Sequence, residues 1–495
     1  MSFMYNPFPF DDPKPVNRPE LSEKTISSIT DGGTPAVAKK FAAPVIEKAR
    51  TENQIIAFDG YATSDWTVFI NLLARECAAA GIEFESVDAN AECFKSGKEI
   101  DAMIDPLLIW DKKIDPTLLY GKIYKGGYEG MLDEQKTQAF EEKVPTLKKG
   151  AGKVIAVYGY GTLIPRFRPL YDTKCFFDLT PKTSILRIRR GEYVNIGKKR
   201  PDIINRVIRC YYCDFEMAVC SRRELLQNNV PDFWFLSDEP QNIQMMTYEA
   251  FADICAQLVK YPFRAKPCYI EGVWGGSYMK RHRNLPEQMR NAAWVFDFIP
   301  MEVSVVVEAG SKKLDINFCS FVCREGESLM SKDAVEKFHG YFPIRFNYDD
   351  SYHSTGNMSI QCHSGSAYNR EHYGEFGRQD ESYYVCVTGH DAKTFIGFRD
   401  DADIPQFFRE IEAADTKHTP CDYMKYVSYE ESKPGLQVML PAGTIHSSGR
   451  NQVILEIGSL TIGSYTYKMY DYLRLDFDGK QRPIHTRLGE ENVAQ

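Results

Sequence analysis

The sequence lacks the features that mark several common classes of protein. No apolar run approaches the roughly 18 residues that a membrane-spanning helix needs, and the N-terminal stretch has neither the basic nor the apolar segment of a secretion signal. No basic cluster stands out in this chain of 495 residues with a net charge of −8. We therefore predict a cytoplasmic protein without a membrane or nucleic-acid partner, and the sequence leaves its oligomeric state open.

A disulfide framework is also missing, although the chain has 13 cysteines. Cys210 and Cys213 form "CYYC" in a segment with helical periodicity, and no second pair follows at zinc spacing. Cys319 and Cys323 form "CSFVC" in a run that reads as a strand. We interpret both pairs as reduced, buried apolar thiols.

Histidine is absent before His282, and all nine histidines lie at His282 or later. Histidine is the commonest metal ligand and acid–base group near neutral pH, so metal chemistry is expected only in the second half of the chain. Six of the nine are interpreted as structural or surface residues: His282, His339, His353, His372, His390 and His418. His485 is assigned no chemistry.

Alternating strands and helices fill the first ~260 residues, a pattern typical of an α/β layer with a largely parallel sheet. The predicted strands cover 54–60, 84–89, 107–111, 153–159, 174–180 and 233–237. The predicted helices cover 66–81, 134–150, 201–229 and 247–263.

The residue pattern changes from about Pro267 onward, where strand-like runs alternate with turn residues as in a barrel or sandwich. One helical insertion, over 403–427, interrupts these strands. The predicted organisation is an N-terminal arm and helix over 1–50, an α/β domain over 51–262 and an all-β domain over 263–495.

The stretch "IIAFDGYATSDWTVF" has the strand–loop–helix layout of a phosphate-binding loop. Gly60 and Thr67 fill the outer positions of that loop, but Asp65 replaces its second glycine and Trp66 replaces its lysine. Asp65 puts negative charge where phosphate would lie, and Trp66 removes the neutralising ammonium. Residues 50 to 240 resemble the uridine-kinase-like branch of the P-loop kinases, so we predict a degenerate P-loop domain that serves as a scaffold.

Two strands of the second half carry ligand-type residues. Gln361 and His363 are separated by one residue, so in a strand their side chains point to the same face and can reach one ion. Glu381 follows in "QDESYYV", a strand able to pair beside the first.

A third stretch, "GLQVMLPAGTIH", places Gly435, Pro441, Gly443 and His446 at the spacing G-x5-P-x-G-x2-H. This spacing resembles the second cupin motif. The Pro-x-Gly turn breaks the strand and is expected to return His446 to the inner face of the sheet.

Together these stretches resemble the type I phosphomannose isomerases, also called mannose-6-phosphate isomerases, from about Glu271 to His485. The segments "EGVWGGSYMKRHRNLP", "FPIRFN" and "ILEIGSLTIGSYTYKMYDYLRLDFDGKQRPIH" support the resemblance. It implies a cupin barrel with one Zn²⁺ per chain, although Mn²⁺, Fe²⁺, Co²⁺ or Ni²⁺ would also suit the ligands. The implied ligands are Gln361, His363, Glu381 and His446.

The resemblance also implies an activity, the interconversion of mannose 6-phosphate and fructose 6-phosphate through an enediol. The candidate catalytic residues are Lys468, Glu456 and Arg378, and Ser359 with Lys468 is expected to bind the substrate phosphate. Lys468 stands where the family usually has arginine, and Arg378 where it usually has lysine. The alternative is a non-catalytic phosphosugar-binding or regulatory protein, and a third possibility is a bifunctional kinase–isomerase.

Overall fold

The computed structural model describes residues 6–201 and 205–494, and we number strands and helices along the chain. The strands of the first half are β1 (Val16–Asn17), β2 (Gln54–Gly60), β3 (Glu83–Asp88), β4 (Lys153–Tyr158), β5 (Thr173–Asp178), β6 (Phe233–Leu236) and β7 (Gln244–Thr247). Its helices are α1 (Glu23–Ser28), α2 (Thr34–Ala49), α3 (Thr67–Ala79), α4 (Ala89–Cys93), α5 (Gly97–Ile104), α6 (Glu134–Leu147), α7 (Pro181–Arg190), α8 (Asn205–Arg209), α9 (Phe215–Gln227) and α10 (Tyr248–Leu258).

The strands of the second half are β8 (Cys268–Ile270), β9 (Trp294–Phe298), β10 (Ser304–Ala309), β11 (Lys312–Asn317), β12 (Ile344–Asp350), β13 (Ile360–His363), β14 (Glu381–Thr388), β15 (Lys393–Phe398), β16 (Val427–Glu431), β17 (Gln437–Leu440), β18 (His446–Ser448), β19 (Gln452–Ser459) and β20 (Thr466–Tyr470). Its helices are α11 (Tyr278–Arg283), α12 (Phe318–Met330), α13 (Lys332–Lys337), α14 (Ser366–Tyr368), α15 (Ile404–Lys417) and α16 (Thr486–Asn492).

The first half contains a six-stranded sheet in the order β3-β4-β2-β5-β6-β7. Its strands are parallel except for β7, which runs antiparallel to β6. Every residue of β2 is buried, as expected of a central strand covered by helices on both faces. The predicted α/β layer with a largely parallel sheet is therefore present.

One predicted strand of this half, over 107–111, is wrong. A 3-10 turn covers Asp105–Leu107, and only Leu108 makes an isolated bridge, to Gly121. Pro106 has no N–H to offer a strand partner, and the Asp111 carboxylate accepts a hydrogen bond from the backbone of Lys113, which starts a turn. The predicted helix over 201–229 forms from Asn205, with a π-helical turn at Cys210–Asp214, and its residues 202–204 lie outside the described residues, as do residues 1–5 of the predicted arm.

Two antiparallel sheets dominate the second half, a six-stranded sheet in the order β17-β14-β19-β12-β9-β8 and a five-stranded sheet in the order β16-β15-β18-β13-β20. A small third sheet pairs β1 of the arm with β10, so the arm lies against the second half. The predicted helical insertion is present as α15.

The second half is not all-β, because α11, α12, α13, α14 and α16 also lie in it. The "CSFVC" run, predicted as a strand, is part of α12, where the Asn317 side chain caps the helix by accepting a hydrogen bond from the backbone of Cys319. A continuous apolar run fits a buried helix as well as a strand, and packing of α12 against α9 and α10 decides between them. Both cysteine pairs are buried, as predicted.

The two halves share one hydrophobic core, which includes Ile155 and Trp234 of the first half and Ile360 and Tyr467 of the second. Within the described residues, no helix is both long and apolar enough to cross a lipid bilayer.

Candidate metal and substrate site

Three ligand-type side chains from three strands meet between the two antiparallel sheets. His363 on β13 and His446 on β18 belong to the five-stranded sheet, and Glu381 on β14 belongs to the six-stranded sheet. The His363 Nε2 atom lies 3.1 Å from Glu381 Oε1, and the His446 Nε2 atom lies 3.3 Å from Glu381 Oε2. The ligand atoms all lie within 4.8 Å of one another, and the three residues are buried.

The Pro-x-Gly turn accounts for the position of His446. It carries the chain from β17 in the six-stranded sheet to β18 in the five-stranded sheet. Gly443 takes a φ of +91°, which glycine adopts without steric cost, and its N–H donates to the His363 carbonyl at 2.8 Å. The turn thereby ties the segment that carries one histidine to the strand that carries the other.

Backbone carbonyls set the tautomer of both imidazoles. The His363 Nδ1 atom lies 3.2 Å from the Tyr465 carbonyl oxygen, and the His446 Nδ1 atom lies 2.8 Å from the Thr444 carbonyl oxygen. A carbonyl oxygen only accepts, so each Nδ1 carries a proton and each Nε2 faces the Glu381 carboxylate. This is the arrangement in which a histidine binds a cation through Nε2.

These residues fit a divalent transition metal. Two imidazole nitrogens and a carboxylate are common ligands of Zn²⁺ and its neighbours. Within the part of the chain that the structure describes, Glu381 Oε2 receives no hydrogen bond, and a buried carboxylate oxygen in that condition favours a cation. Two amides flank the cluster: the Gln361 Nε2 atom lies 3.4 Å from His446 Nε2, and the Gln379 Nε2 atom lies 3.5 Å from His363 Nε2. A half-turn of either amide presents an oxygen ligand instead.

Arg345 on β12 links the cluster to Glu456 on β19. Its Nη2 atom lies 2.9 Å from an oxygen of Glu381 and 2.9 Å from an oxygen of Glu456. Although burial opposes it, the two imidazoles hold the pKa of Glu381 well below its usual range. Burial and the charges of Glu381 and Asp349 raise the pKa of Glu456 well above its usual range. The surroundings therefore shift the pKa values of two neighbouring carboxyl groups in opposite directions.

The cluster opens into a cavity of about 240 Å³. Besides Gln361, Glu381 and Glu456, its lining includes Ser359 and Lys468. One cavity therefore contains predicted residues of all three kinds: the metal ligands Gln361 and Glu381, the substrate-binding residue Ser359, and the proton-transfer candidates Glu456 and Lys468.

A second group of polar side chains lies at Lys468. The Ser359 hydroxyl donates to Asp471 at 3.0 Å, and Arg482 binds the other oxygen of Asp471 at 2.7 Å. Burial and the charge of Arg482 lower the pKa of Lys468 well below its usual range. Lys468 is also the cross-strand partner of Gln361. It therefore lies between the candidate metal ligands and the group formed by Ser359, Asp471 and Arg482.

Arg378 is the one predicted catalytic residue that the structure places outside the cavity lining. Its side chain is 49% exposed and pairs with Asp380 at 2.8 Å. We therefore give it no role in the proposed function.

Sequence reasoning missed Arg345 and Gln379, which both line the cavity. Arg345 lies in the segment "FPIRFN", two residues before Asn347, and Gln379 precedes Glu381 by two residues. Since alternate residues of an extended chain share a face, this spacing was the signal that could have found Gln379. Four further lining residues come from the first half, where no local pattern pointed to the site: Leu119, Tyr120, Tyr211 and Tyr212.

In the loop of the first half that resembles a phosphate-binding loop, three backbone amides donate hydrogen bonds within the protein. The N–H of Tyr61 donates to the Phe177 carbonyl at 3.0 Å, and the N–H of Ser64 donates to the Tyr61 carbonyl at 3.0 Å. The N–H of Thr67, at the start of α3, donates to the Asp65 carboxylate at 2.9 Å. A phosphate-binding loop instead aims such amides at the ligand.

Two kinds of comparison with known proteins match part of the chain. Residues 33–260 match a family described as a domain of unknown function, DUF8485. The mannose-6-phosphate isomerase of Streptococcus mutans is 26% identical over 230 residues, which are 45% of this chain and 66% of that protein. The mannose-6-phosphate isomerase ManA of Bacillus subtilis is 25% identical over 234 residues, which are 47% of this chain and 68% of that protein.

Nearly half of this chain is similar in sequence to mannose-6-phosphate isomerases. The match spans about two thirds of the length of these curated relatives. The crystal structure of the Bacillus subtilis mannose 6-phosphate isomerase aligns with a TM-score of 0.36 and 20% identity, over 47% of this chain and 68% of that one. A zinc-bound mannose 6-phosphate isomerase structure aligns with a TM-score of 0.34 and 11% identity, over 47% of this chain and 74% of that one.

Proposed function

We propose that this chain is a metal-dependent aldose–ketose isomerase that interconverts mannose 6-phosphate and fructose 6-phosphate through an enediol. One observation carries the proposal: the buried cluster of His363, Glu381 and His446 opens into the same cavity as Lys468 and Ser359. The sequence similarity to proteins named mannose-6-phosphate isomerase supports it.

The metal would be held by His363, Glu381 and His446, with the Gln361 amide as a fourth ligand, and Zn²⁺ is the ion we expect. When bound, the ion stabilises negative charge that develops on the neighbouring oxygens of the substrate, a contribution of several kcal/mol.

Lys468 and Glu456 are the proposed proton-transfer pair. The lowered pKa of Lys468 favours the neutral amine, the form that can take the proton from C2 of the aldose. As that C–H bond breaks, its electron pair forms the C1–C2 double bond, and the raised pKa of Glu456 favours the carboxylic acid, the form that can protonate the carbonyl oxygen on C1. Return of the first proton to C1, with transfer of the C2 hydroxyl proton to Glu456, gives the ketose.

The phosphate group is assigned to the other end of the cavity. Ser359 offers a hydroxyl and Arg482 offers a guanidinium, and the phosphate would share both groups with Asp471. Lys468 lies next to Ser359 and Arg482. The distance from these two residues to the candidate metal ligands therefore determines which carbon of the sugar faces the Lys468 amine.

The alternative is a non-catalytic phosphosugar-binding protein, and the internally bonded loop of the first half favours loss of chemistry at least there. Exchange of the C2 proton of mannose 6-phosphate, followed by NMR before and after chelation, separates the two. We expect exchange that stops on chelation and returns with Zn²⁺. Binding without exchange would support the alternative, and exchange that persists after metal removal would contradict the metal mechanism.

A further inference from the structure

Three tyrosines of the first half form part of the wall of the cavity beside the candidate metal ligands. Tyr120, Tyr211 and Tyr212, together with Leu119, line it, and we call these four residues the tyrosine wall. Tyr120 and Tyr212 are almost fully buried, whereas Tyr211 is partly exposed. In the sequence, the wall residues lie more than 100 residues before the strands that carry the candidate metal ligands. The α/β half thus contributes side chains to a cavity of the β-rich half.

Tyr120 is fixed to the strand that pairs with the metal-ligand strand. Its hydroxyl donates to the Thr466 carbonyl at 2.6 Å, and Thr466 is the cross-strand partner of His363. The Tyr120 ring also meets the Tyr467 ring edge-on, with centroids 5.4 Å apart. The position of this part of the wall is therefore set by β20 and not by its own loop alone.

A second connection joins the same loop to the C-terminal segment beside Lys468. Asp115 is fully buried, and its carboxylate lies 3.4 Å from the His485 Nε2 atom. The Thr117 hydroxyl lies 3.2 Å from the same nitrogen, and the His485 N–H donates to the Lys468 carbonyl at 2.6 Å. Buried polar contacts of this kind hold their partners in one arrangement, so they fix the loop relative to the backbone of the candidate base.

Tyr211 and Tyr212 come from the π-helical turn that interrupts the long helix of the first half. Single π-helical turns inside a helix occur frequently at functional sites. The Tyr211 ring packs edge-on against Phe215, with centroids 5.6 Å apart, and Tyr211 lines the cavity. As the partly exposed tyrosine of the wall, Tyr211 is the one whose substitution is expected to disturb the core least.

We propose that the tyrosine wall is a specificity-determining part of the sugar-phosphate site. The wall limits the length of the open-chain phosphosugar that the site accepts, and it shields the reacting carbons from water. The proposal rests on the proposed function. Cavities for drug-sized ligands are roughly 300–1,000 Å³, so the 240 Å³ here suits a compact ligand, and the rings supply rigid apolar surface for its C–H groups.

The test uses the full chain with Zn²⁺ and the variants Tyr211→Ala and Tyr211→Phe. Turnover is measured on aldose phosphates with five, six and seven carbons, and binding is measured by calorimetry with a hexitol 6-phosphate, which has no carbonyl group and does not isomerise. Tyr211→Ala is expected to lower kcat/KM for the six-carbon substrate about tenfold and to raise the ratio of seven-carbon to six-carbon turnover by a similar factor. Tyr211→Phe keeps the ring and is expected to match the wild type within about twofold.

An unchanged seven-to-six ratio in Tyr211→Ala, with unchanged hexitol 6-phosphate affinity, would overturn the wall proposal while leaving the isomerase proposal intact. Failure of the wild type to bind any sugar phosphate would overturn the proposed function and the wall proposal with it. Metal content and the melting temperature are measured for each variant. If Tyr211→Ala does not fold, Tyr211→Leu carries the same expectation, since it retains an apolar side chain but removes the ring.

Discussion

Gln361 and His446 are directly opposite each other in the antiparallel pairing of β13 and β18, although 85 residues separate them in the sequence. The pairing places an amide beside an imidazole whose Nδ1 proton is already committed to the Thr444 carbonyl. His363 reaches the same point from two residues further along β13. The arrangement of the candidate metal ligands therefore depends on strand register, and a one-residue slip would turn these side chains to the other face of the sheet.

Removal of His446 should abolish metal binding and isomerisation together. His446→Ala deletes one of the two imidazoles and leaves His363 as the one imidazole beside Glu381, so we expect loss of stoichiometric metal and at least about a 100-fold fall in kcat. Elemental analysis by mass spectrometry and the C2 exchange assay measure the two quantities. His390→Ala, at an exposed histidine outside the cluster, is the matched control and should retain both. Full activity in metal-depleted His446→Ala would refute the assignment.

Lys468→Arg should separate a proton acceptor from a simple cation. Arginine stays protonated and cannot accept the C2 proton, so kcat should fall by about 100-fold or more while KM changes only severalfold. Lys468→Met should lower kcat and also raise KM, because it removes the nitrogen altogether. Steady-state kinetics on mannose 6-phosphate gives both constants. A Lys468→Arg enzyme with wild-type kcat would show that the side chain acts only through its charge.

Arg345 should matter far more to stability than Arg378. Arg345→Met leaves Glu381 and Glu456 buried without their shared cation, which is expected to lower the free energy of unfolding by about 3–5 kcal/mol. Arg378→Met breaks an exposed pair with Asp380 and should cost less than about 1 kcal/mol. Urea denaturation of both variants measures the difference. Equal losses in the two variants would contradict the bridging role that we give to Arg345.

The sequence predicted those parts of the fold and site that depend on local spacing. β2 is a short apolar run with every residue buried, and the two-residue spacing of Gln361 and His363 survives as one face of β13. Arg345 and Tyr120 were not found, because their contacts with Glu381 and Thr466 depend on packing between distant segments. The error at α12 has the same origin, since a continuous apolar run does not distinguish a strand from a helix buried by its neighbours.

Nucleotide binding is expected to be undetectable in the full chain. Trp66, at the position of the loop lysine, is buried and packs against Tyr160 with ring centroids 5.1 Å apart, and the amides of Tyr61, Ser64 and Thr67 are already bonded within the protein. Several contacts, and not one residue alone, keep the loop from binding phosphate. The double variant Asp65→Gly/Trp66→Lys should therefore not bind nucleotide either. Calorimetry with Mg²⁺–ATP and Mg²⁺–GTP measures this directly. Stoichiometric binding by the wild type with a Kd below about 1 mM, or about 4 kcal/mol of binding free energy, would show that the first half retains a nucleotide site.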